Sequence, residues 1–379
     1  MDYIKLCDVC DFQGGSQPPK DEWSFTPKDG YVRMLQIRDF TQGERVIPEY
    51  IKLTNTTKIC EADDILIARY GASLGKILTG LSGAYNVAIM RTIPNTELLE
   101  KKYLYYYLKA PVFQNFLLRI GNRAAQAGFN KNDLQELLIP CVSRERQKEV
   151  VCILEKVETL ICALKQQLQK LDELVKARFV EMFGNMVYNP NGWEKVNLGS
   201  VCDVRDGTHD SPKYFPEGYP LVTSKNVTSG RIDFTDCSLI CKEDYDKINE
   251  RSSVDFGDIL MPMIGTVGKP VIVDVDADFA IKNVALIKFY EDSTVINIFV
   301  RALLQSDYFD RAVISKIRGG TQKFISLSDI RKLEIYLPPM DTQNQFAVFV
   351  EQTDKSKAAI QKALDETRML FDSLMQKYF

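Results

Sequence analysis

The chain has 379 residues, of which 45% are hydrophobic and 26% charged, an ordinary globular composition with room for two or three domains. A net charge of −3 argues against coating of nucleic acid by the whole surface, although local basic patches remain compatible with it. No apolar run approaches the roughly 18 residues that cross a bilayer. Because the N-terminus also lacks a signal-peptide pattern, we expect a cytoplasmic protein.

The cysteines are expected to be reduced thiols. The chain has nine, together with a single His. Cys7-x-x-Cys10 and Cys237-x3-Cys241 could be offered as zinc ligands, but the two pairs fall at different places in the two halves of the chain. Buried thiols are the simpler interpretation, and no metal site is predicted.

Short β-type runs separated by Gly, Asp and Asn occupy the first part of the chain and predict a compact, strand-rich domain. Within it, residues 64–76 read DILIARYGASLGK. The GxxxGK spacing followed by Ile77 does not fit a phosphate-binding loop, which needs GxxxxGK and then Ser or Thr. Gly71 and Gly75 are therefore expected to provide backbone turns.

A helical stretch follows over residues 96–121, where apolar residues recur three and four apart. Residues 101–123 carry five basic side chains and no acid. Asn130 is a good N-cap with Asp133 three residues on, which predicts a short helix.

A long helix is predicted over residues 143–184, because no Gly or Pro occurs between Ser143 and Phe183 and Gly184 can end it. Apolar residues step by three and four along it, with one polar position at Gln167, which is typical of a coiled-coil seam. The expected seam residues are Val150, Ile153, Val157, Leu160, Leu164, Leu171 and Leu174.

The second half of the chain repeats the first. Residues 258–269 read DILMPMIGTVGK, an echo of residues 64–76, and basic residues again cluster at 311–332. The matches keep their order and cover nearly the whole chain, so the chain is a tandem duplication of a whole domain with its helix. Further matched segments are 6–15 with 198–207, 126–134 with 322–330, and Ile139-Pro140 with Leu337-Pro338.

A second long helix is predicted over residues 341–379, with Thr353, Ser356 and Thr367 weakening its seam. A long apolar stripe on a lone helix is unstable in water, so the two helices are expected to pack together, antiparallel. The fold class is α+β: mixed, strand-rich domains at 1–142 and 195–340, each followed by a long helix, the helices forming an antiparallel coiled coil. The second seam comprises Phe346, Phe349, Ile360, Leu370 and Leu374.

A helix of about 40 residues is roughly 60 Å long, which parallels something under 20 base pairs of duplex at ~3.4 Å each. Two similar readers on a stiff spacer suit an interrupted, two-part DNA site. A protein–protein scaffold with the same rod and no DNA readout has the same outline and stays open as the alternative. A free-standing nuclease is disfavoured, since no acidic cluster recurs in both copies.

The chain resembles the specificity subunits of type I restriction-modification systems over its full length. The resemblance rests on segments that are individually short but keep their order twice over. These segments are RDGTHDSPKY (205–214), the two DIL…G…GK stretches, the Ile/Leu-Pro exit into each helix, and KLDELVKARFVEMFGN (170–185), the most specific of them.

The resemblance implies a chain without catalytic activity, whose two target recognition domains each read one half of a split sequence in the major groove of double-stranded DNA. It implies that the paired helices dock two modification subunits, which bind S-adenosylmethionine and methylate adenine. Restriction subunits, where present, would add ATP- and Mg-dependent nuclease activity. The sequence agrees, because it contains no methyltransferase-type glycine loop and one His cannot serve a catalytic triad in each domain.

DNA contacts are expected from polar and basic side chains on loops at equivalent places in the two copies. For the first set a turn with internally satisfied side chains is an equal alternative, and His209 is a DNA contact or a turn residue rather than a catalyst. The first set is Lys20 against Thr208, His209, Ser211 and Lys213; the second is Arg38 against Lys225 and Asn226; the third is Arg123 and Gln126 against Arg318, Thr321, Gln322 and Lys323; Arg69, Tyr70 and Lys76 complete the candidates.

Overall fold

A computed structural model describes residues 2–121, 128–184, 186–227, 230–263, 269–276, 278–313 and 324–379. The chain divides into two compact units. Unit 1 comprises Met1–Lys165 and Lys362–Phe379, and unit 2 comprises Gln166–Gln361. Each unit therefore holds one strand-rich domain together with a segment of both long helices.

Unit 1 contains ten strands and the helices α1 to α4 in its described part, with short 3₁₀ turns at Lys20–Glu22, Gly43–Arg45, Gly71–Ser73 and Lys131–Leu134. The strands are β1 (Tyr3–Lys5), β2 (Cys10–Gly14), β3 (Tyr31–Leu35), β4 (Glu49–Lys52), β5 (Ile59–Cys60), β6 (Leu66–Ala68), β7 (Ile77–Leu78), β8 (Gly83–Tyr85), β9 (Ile89–Pro94) and β10 (Leu138–Pro140). The helices are α1 (Leu6–Val9), α2 (Ile37–Thr41), α3 (Lys101–Lys109), α4 (Pro111–Gly121) and the first part of α5 (Arg144–Phe183).

Unit 2 contains the remaining elements, with a 3₁₀ turn at Ser224–Val227. Its strands are β11 (Lys195–Asn197), β12 (Cys202–Asp206), β13 (Tyr219–Thr223), β14 (Ser238–Ile240), β15 (Ile259–Pro262), β16 (Val271–Ile272), β17 (Ala280–Lys282), β18 (Val284–Phe289) and β19 (Glu334–Tyr336). Its helices are α6 (Leu198–Val201), α7 (Lys242–Ser252), α8 (Asn297–Leu304), α9 (Asp307–Ala312), α10 (Leu327–Arg331) and the first part of α11 (Met340–Tyr378).

The two units have the same sheet topology. Unit 1 has sheets of order β2-β9-β6-β7, β4-β3-β8-β5 and β1-β10, and unit 2 repeats them as β12-β18-β15-β16, β14-β13-β17 and β11-β19. The pair β3–β8 is parallel, and so is its counterpart β13–β17. Within the described ranges, β5 has no counterpart in unit 2 and α7 has none in unit 1. The shared topology confirms the tandem α+β architecture expected from the sequence.

Pairing of residues shows that the long-helix segments are antiparallel within each unit. In unit 1 the guanidinium of Arg146 lies 5.7 Å from the ring of Tyr378. In unit 2 Lys357 Nζ lies 2.7 Å from Asp172 Oδ1, and the rings of Phe183 and Phe346 are 5.3 Å apart. Residues early in α5 thus pair with residues late in α11, and the converse, as expected.

The buried seam of the long helices differs from the predicted one at three leucines. Leu160, Leu174 and Leu370 are 49%, 48% and 51% exposed, whereas Leu154 and Leu364 are buried. Apolar residues spaced alternately by three and four residues form a heptad whichever step comes first. In α5 the step of four comes first from Val150, so the more buried residue is Leu154 rather than Ile153, and Ile161 rather than Leu160. The remaining predicted seam residues are buried or partly buried: Val150, Ile153, Val157, Leu164, Leu171, Phe346, Phe349, Ile360 and Leu374.

Two threonines expected to weaken the second seam are part of it. Thr353 and Thr367 are 6% and 9% exposed. Each hydroxyl donates to the carbonyl four residues earlier, at 2.9 Å to Phe349 O and 2.7 Å to Ala363 O. A hydroxyl satisfied inside its own helix can be buried against apolar neighbours at little cost.

The connection into each long helix is built alike, with one change to the expected match. Asn130 and Ser326 cap short helical turns with complete capping boxes, which confirms the predicted N-caps. The strand before the helix pairs Ile139 with Ile4 in unit 1 and Ile335 with Val196 in unit 2. Ile139 is therefore equivalent to Ile335, two residues before the Leu337 to which sequence matching assigned it.

The helical stretch 96–121 is two helices rather than one. Ala110, between α3 and α4, has an extended backbone with φ −68° and ψ 150°. The next residue is Pro111, and a residue before proline avoids helical torsion angles for steric reasons.

Candidate nucleic-acid interface

The first loop set begins at a glycine that no other residue can replace without moving the backbone. A Cβ on Gly15 would lie 2.2 Å from Asn86 O, and one on Gly207 would lie 2.1 Å from Ile281 O. Both glycine amides donate to the start of the next strand of the core, Gly15 to Ile89 O and Gly207 to Val284 O, each at 3.1 Å. The two loops therefore leave their sheets from the same backbone position.

Each of these loops is fixed again farther along the chain. Ser24 donates its amide hydrogen to Tyr50 O at 2.8 Å, and Phe215 donates to Leu239 O at 2.9 Å. These bridges attach the loops to β4 and to β14, which are equivalent strands. Lys20 and Lys213 are exposed between the two fixed points. The backbone frame is shared, and the side chains it presents are different in the two units.

His209 is held inside its loop by both ring nitrogens. Nδ1 lies 2.7 Å from Asn283 Oδ1, and Nε2 lies 2.8 Å from Asp206 Oδ2. The hydrogen bond to Asn283 and that to Asp206 raise the pKa of His209 above its ordinary value. Both ring nitrogens of His209 therefore bond within the turn, while the side chain remains 60% exposed.

The neighbouring hydroxyls also have partners within the loop. Thr208 Oγ1 accepts from the amide of Asp210 at 3.1 Å. Ser211 Oγ lies 2.7 Å from Lys282 Nζ, which donates to it. In unit 2 the first set is therefore an internally hydrogen-bonded, polar turn in which Ser211 and Lys213 are exposed.

The second loop set contains one buried structural residue. Asn226 is 3% exposed, accepts from the amide of Thr223 at 3.0 Å and donates to Asp233 O at 3.0 Å. This corrects the expectation that Asn226 contacts DNA, because both ends of its amide are used by the backbone. Lys225 beside it is exposed, and Arg38 is ion-paired with Glu49.

Arg69 also bonds to the backbone of its own unit. Its Nε donates to Phe129 O at 3.0 Å and its Nη1 to Val87 O at 3.2 Å. Tyr70 next to it is 40% exposed and forms a bridge with Gly128. Arg69 therefore positions the far end of the 121–129 loop, while Tyr70 and the exposed Lys76 present surface at the neighbouring turn.

Positive φ angles occur at both glycines of the DILIARYGASLGK stretch. Gly71 has φ 66° and Gly75 has φ 80°, a conformation that side chains with a Cβ adopt at a cost. Their role as backbone turns, predicted from the sequence, is confirmed; the corresponding Gly265 and Gly268 lie outside the described residues.

The third loop set lies outside the described residues, and only its flanks can be placed. Phe129 and Ile325, which follow the two loops, are buried, and Ile325 donates its amide hydrogen to Met263 O at 3.0 Å. The candidates in this set are Arg123, Gln126, Arg318, Thr321, Gln322 and Lys323.

The basic cluster on α3 is largely neutralised inside unit 1. Lys101 pairs with Asp63 and Asp64, and Lys109 pairs with Glu158 at 2.9 Å. Lys102 pairs with Glu155 on α5. Residues 101–123 contain no acid, so these partners, which come from other parts of the chain, could not be recognised from that segment alone. The lysines of α3 are ion-paired and do not form a free cationic face.

The sequence did not single out two buried glutamines that fix the start of each long helix. Gln147 makes three hydrogen bonds: it accepts from Glu100 N at 2.7 Å and donates to Leu98 O at 2.9 Å and Val142 O at 3.0 Å. Gln343 makes the same three bonds in unit 2, to Ile296 N, Thr294 O and Pro338 O. The same residue at equivalent positions of both copies is the signal that aligning the helix starts would have revealed.

Other site types have little support in the described ranges. No group of three or more His, Cys, Asp or Glu side chains there lies close enough to hold a metal ion. Burial raises the pKa of the Cys10 and Cys202 thiols to about 12. None of the helices in these ranges combines the length and apolarity that a membrane span requires.

Curated relatives resemble the chain along nearly its whole length. It is 24% identical over 360 residues to the type I restriction enzyme MjaVIII specificity subunit of Methanocaldococcus jannaschii, covering 88% of this chain and 84% of that one. The MjaIX specificity subunit of the same organism is 26% identical over 414 residues, covering 99% and 92%. The EcoBI specificity subunit of Escherichia coli is 21% identical over 396 residues, covering 93% and 80%.

Solved structures share the fold. A chain from work on complex assembly and conformational transition of the type I R-M system matches with a TM-score of 0.61 and 20% identity, over 100% of this chain and 97% of that one. The S subunit of a type I restriction-modification system from M. genitalium matches with a TM-score of 0.54 and 15% identity, over 100% and 96%. The family model for the type I restriction modification DNA specificity domain matches residues 1–173 and again residues 190–367. The chain therefore belongs to the type I restriction-modification DNA specificity family.

Proposed function

We propose that this chain is a sequence-specific DNA-binding subunit that reads a two-part, interrupted DNA site and directs adenine methylation by partner modification subunits. The observation that carries the proposal is the pair of loops at 14–31 and 206–219. Both leave the same sheet position through an obligatory glycine and are fixed again at equivalent strands. An identical frame with different polar side chains is what two readers of two different half-sites require.

The long helices supply a surface for those partners. Each unit leaves apolar side chains of its helix segments about half exposed: Leu160 and Leu370 in unit 1, and Leu174 and Val348 in unit 2. Single exposed apolar side chains are normal on a protein surface, so these four support a docking surface only together with the membership of the chain in the specificity family. We propose that one modification subunit, carrying S-adenosylmethionine, docks on each unit, and that restriction subunits with ATP and Mg join where the system has them.

Methylome sequencing tests the function as a whole. Cells that co-express this chain with the modification subunit of its system should show a two-part motif, methylated at adenine, with a fixed gap. An assembled complex with an intact methyltransferase that yields no such motif would favour the scaffold interpretation instead.

A domain exchange tests the assignment of one half-site to each domain. Replacing residues 195–338 by the corresponding domain of another specificity subunit should change one half of the motif and leave the other half and its methylation unchanged. A change in both halves would contradict two independent readers.

A further inference from the structure

We propose that α7 is a specificity-determining element of the second domain. Arg251 of α7 and Asp206 at the end of β12 act as positioning residues for the loop at 206–213. The inference rests on the proposed function, because it supposes that this loop reads DNA. It adds α7 with Arg251, which sequence matching did not indicate, and gives a role to Asp206, which lies in a matched segment.

Arg251, in the last turn of α7, is bound to the start of the loop. Its Nη2 donates to Asp206 Oδ1 at 2.9 Å and to Gly207 O at 3.1 Å. In return, Arg205 Nη1 donates to Arg251 O at 3.0 Å. The helix and the end of β12 are thus joined in both directions, at the glycine from which the loop departs.

Asp206 connects Arg251 to His209 of the loop. One carboxylate oxygen receives Arg251, and the other lies 2.8 Å from Nε2 of His209. The carboxylate is 16% exposed, whereas the His209 and Arg251 side chains are 60% and 64% exposed. A largely buried carboxylate that bonds two surface side chains, His209 and Arg251, fixes their separation, and with it the direction in which the turn points.

The far side of His209 is fixed as well. Asn283, whose side chain faces Nδ1, has a φ of 54°, a left-handed conformation that asparagine tolerates better than most residues. The backbone N–H of Asn283 donates to Thr208 O at 3.2 Å. The loop is therefore held from α7 on one side and from the β17–β18 connection on the other.

A cleft of about 420 Å³ lies between the loop and α7. The loop contributes Thr208, His209 and Ser211 to its walls, and α7 contributes Lys247 and Arg251. The charged groups that face His209 or line this cleft are Asp206, Asp210, Asp244, Lys247 and Arg251, with Lys282 bonded to Ser211 beside them.

Unit 1 has no corresponding brace in its described residues. There the chain passes from β4 to β5 through a turn, where unit 2 has α7. Both first loops share a backbone bond to an inner strand, from Ser16 to Tyr85 O at 3.1 Å in unit 1 and from Thr208 to Ile281 O at 3.0 Å in unit 2. Unit 1 adds a bond from Tyr85 Oη to Gln13 Oε1 at 2.8 Å, where unit 2 adds Arg251. Disturbing Arg251 should therefore affect recognition of one half-site only.

The protonation state of His209 reports the network directly. Both ring nitrogens face oxygens, so the imidazolium donates to both, whereas the neutral ring donates to only one. The hydrogen bonds to Asn283 and Asp206 raise the pKa of His209, and the charge of Arg251 lowers it. Because the chain has a single His, its NMR titration needs no assignment.

The first experiment titrates His209 in the full-length chain labelled at histidine. Asp206→Asn should lower the midpoint, because a hydrogen-bonded anion is lost. Arg251→Ala should raise it, because an opposing cation is lost, and Arg251→Lys should leave it near the wild-type value. Lys242→Ala, which removes a cation from the other end of α7, is the matched control and should not move it.

The second experiment measures methylation by the assembled complex of sites with single-base changes in either half. Arg251→Ala should weaken discrimination at one half-site by roughly ten-fold, because it removes the bonds of Nη2 to Asp206 and Gly207. Arg251→Lys keeps a charged donor on a shorter side chain and should weaken discrimination at that half-site less than Arg251→Ala does. Discrimination at the other half-site, and both half-sites in Lys242→Ala, should stay as in the wild type.

The outcomes separate this inference from the function on which it rests. Exchange of residues 208–213 alone should change the same half-site; if it does not, the loop is no reader and the proposed function of this loop fails. If the exchange changes the half-site but Arg251→Ala and Arg251→Lys do not, or if Asp206→Asn and Arg251→Ala leave the His209 midpoint in place, the positioning role of α7 is overturned alone.

Discussion

At the residue scale, the structure relies on a few side chains that bond to backbone groups of distant segments. Gln147 and Gln343 are 3% and 0% exposed and connect the start of each long helix to the segment before α3 or α8. A buried amide that satisfies three backbone groups sets the position of a helix more narrowly than apolar packing does. These glutamines therefore fix how each recognition domain joins its long helix.

Gln343→Ala should lower the free energy of unfolding by roughly 1–3 kcal/mol or more, because removing the amide leaves buried backbone groups without partners. Urea denaturation followed by circular dichroism would measure it. Gln345→Ala, at an exposed position of the same helix, is the control. Equal effects of the two substitutions would contradict the role given to Gln343.

Thiol reactivity should differ strongly within the chain. Cys10 and Cys202 are buried with pKa values raised to about 12, so they stay protonated at pH 8, whereas Cys141 and Cys152 are exposed. Iodoacetamide labelling of the native chain followed by peptide mass spectrometry should find the exposed pair modified first. Labelling of Cys202 as fast as that of Cys152 would show that this core opens readily.

At the element scale, some features of the long helices could be predicted from the sequence and others could not. The heptad period, the absence of breakers and the antiparallel pairing could all be predicted. The choice between a 3-4 and a 4-3 seam could not, because Leu160 and Ile161 are both apolar and only the partner helix decides which is covered. Ile161 is partly buried and Leu160 is half exposed.

Paired substitutions distinguish the two seams. Leu154→Ala removes a fully buried side chain, and a destabilisation of about 2–5 kcal/mol is expected. Leu160→Ala should cost much less in the isolated chain, because its side chain is half in water already. Thermal or chemical unfolding of the chain without its partners measures both. A larger loss for Leu160→Ala would restore the seam predicted from the sequence.

The loops were predictable to different degrees. The obligatory Gly15 and Gly207 lie in segments that match between the copies, so the common frame could be found. The buried role of Asn226 was hidden, since an asparagine in a turn looks the same whether it faces solvent or the backbone. The contact of Arg251 with Asp206 joins residues on different elements and has no periodic signature, so only the folded chain shows it.

At the scale of the whole molecule, both points at which the chain passes from one unit to the other lie inside the long helices. The boundary between units crosses α5 after Lys165 and α11 before Lys362. One heptad inserted at both places preserves every helix pair described within a unit. It adds about 10 Å at ~1.5 Å per residue, which corresponds to roughly three base pairs at ~3.4 Å each.

The doubly extended chain should recognise the same half-sites with a longer gap, which methylome sequencing would show. A heptad inserted in α5 alone is the control, because it places seven unpaired residues opposite the second helix and should impair assembly. A doubly extended complex that assembles and methylates with the original gap would show that the helices do not set the spacing.

Unit 1 begins to be translated before unit 2 but is completed after it, because its two segments lie at the two ends of the sequence. Its core includes Met375 and Tyr378, and the ring of Phe379 lies 5.0 Å from that of Tyr103. These residues are synthesised only after all of unit 2 has been translated. The domain that emerges first is thus completed last. Tyr103 lacks its contact with Phe379 until unit 2 has been translated. A stop codon around position 365 should therefore damage the first recognition domain, although the mutation lies some two hundred codons beyond it.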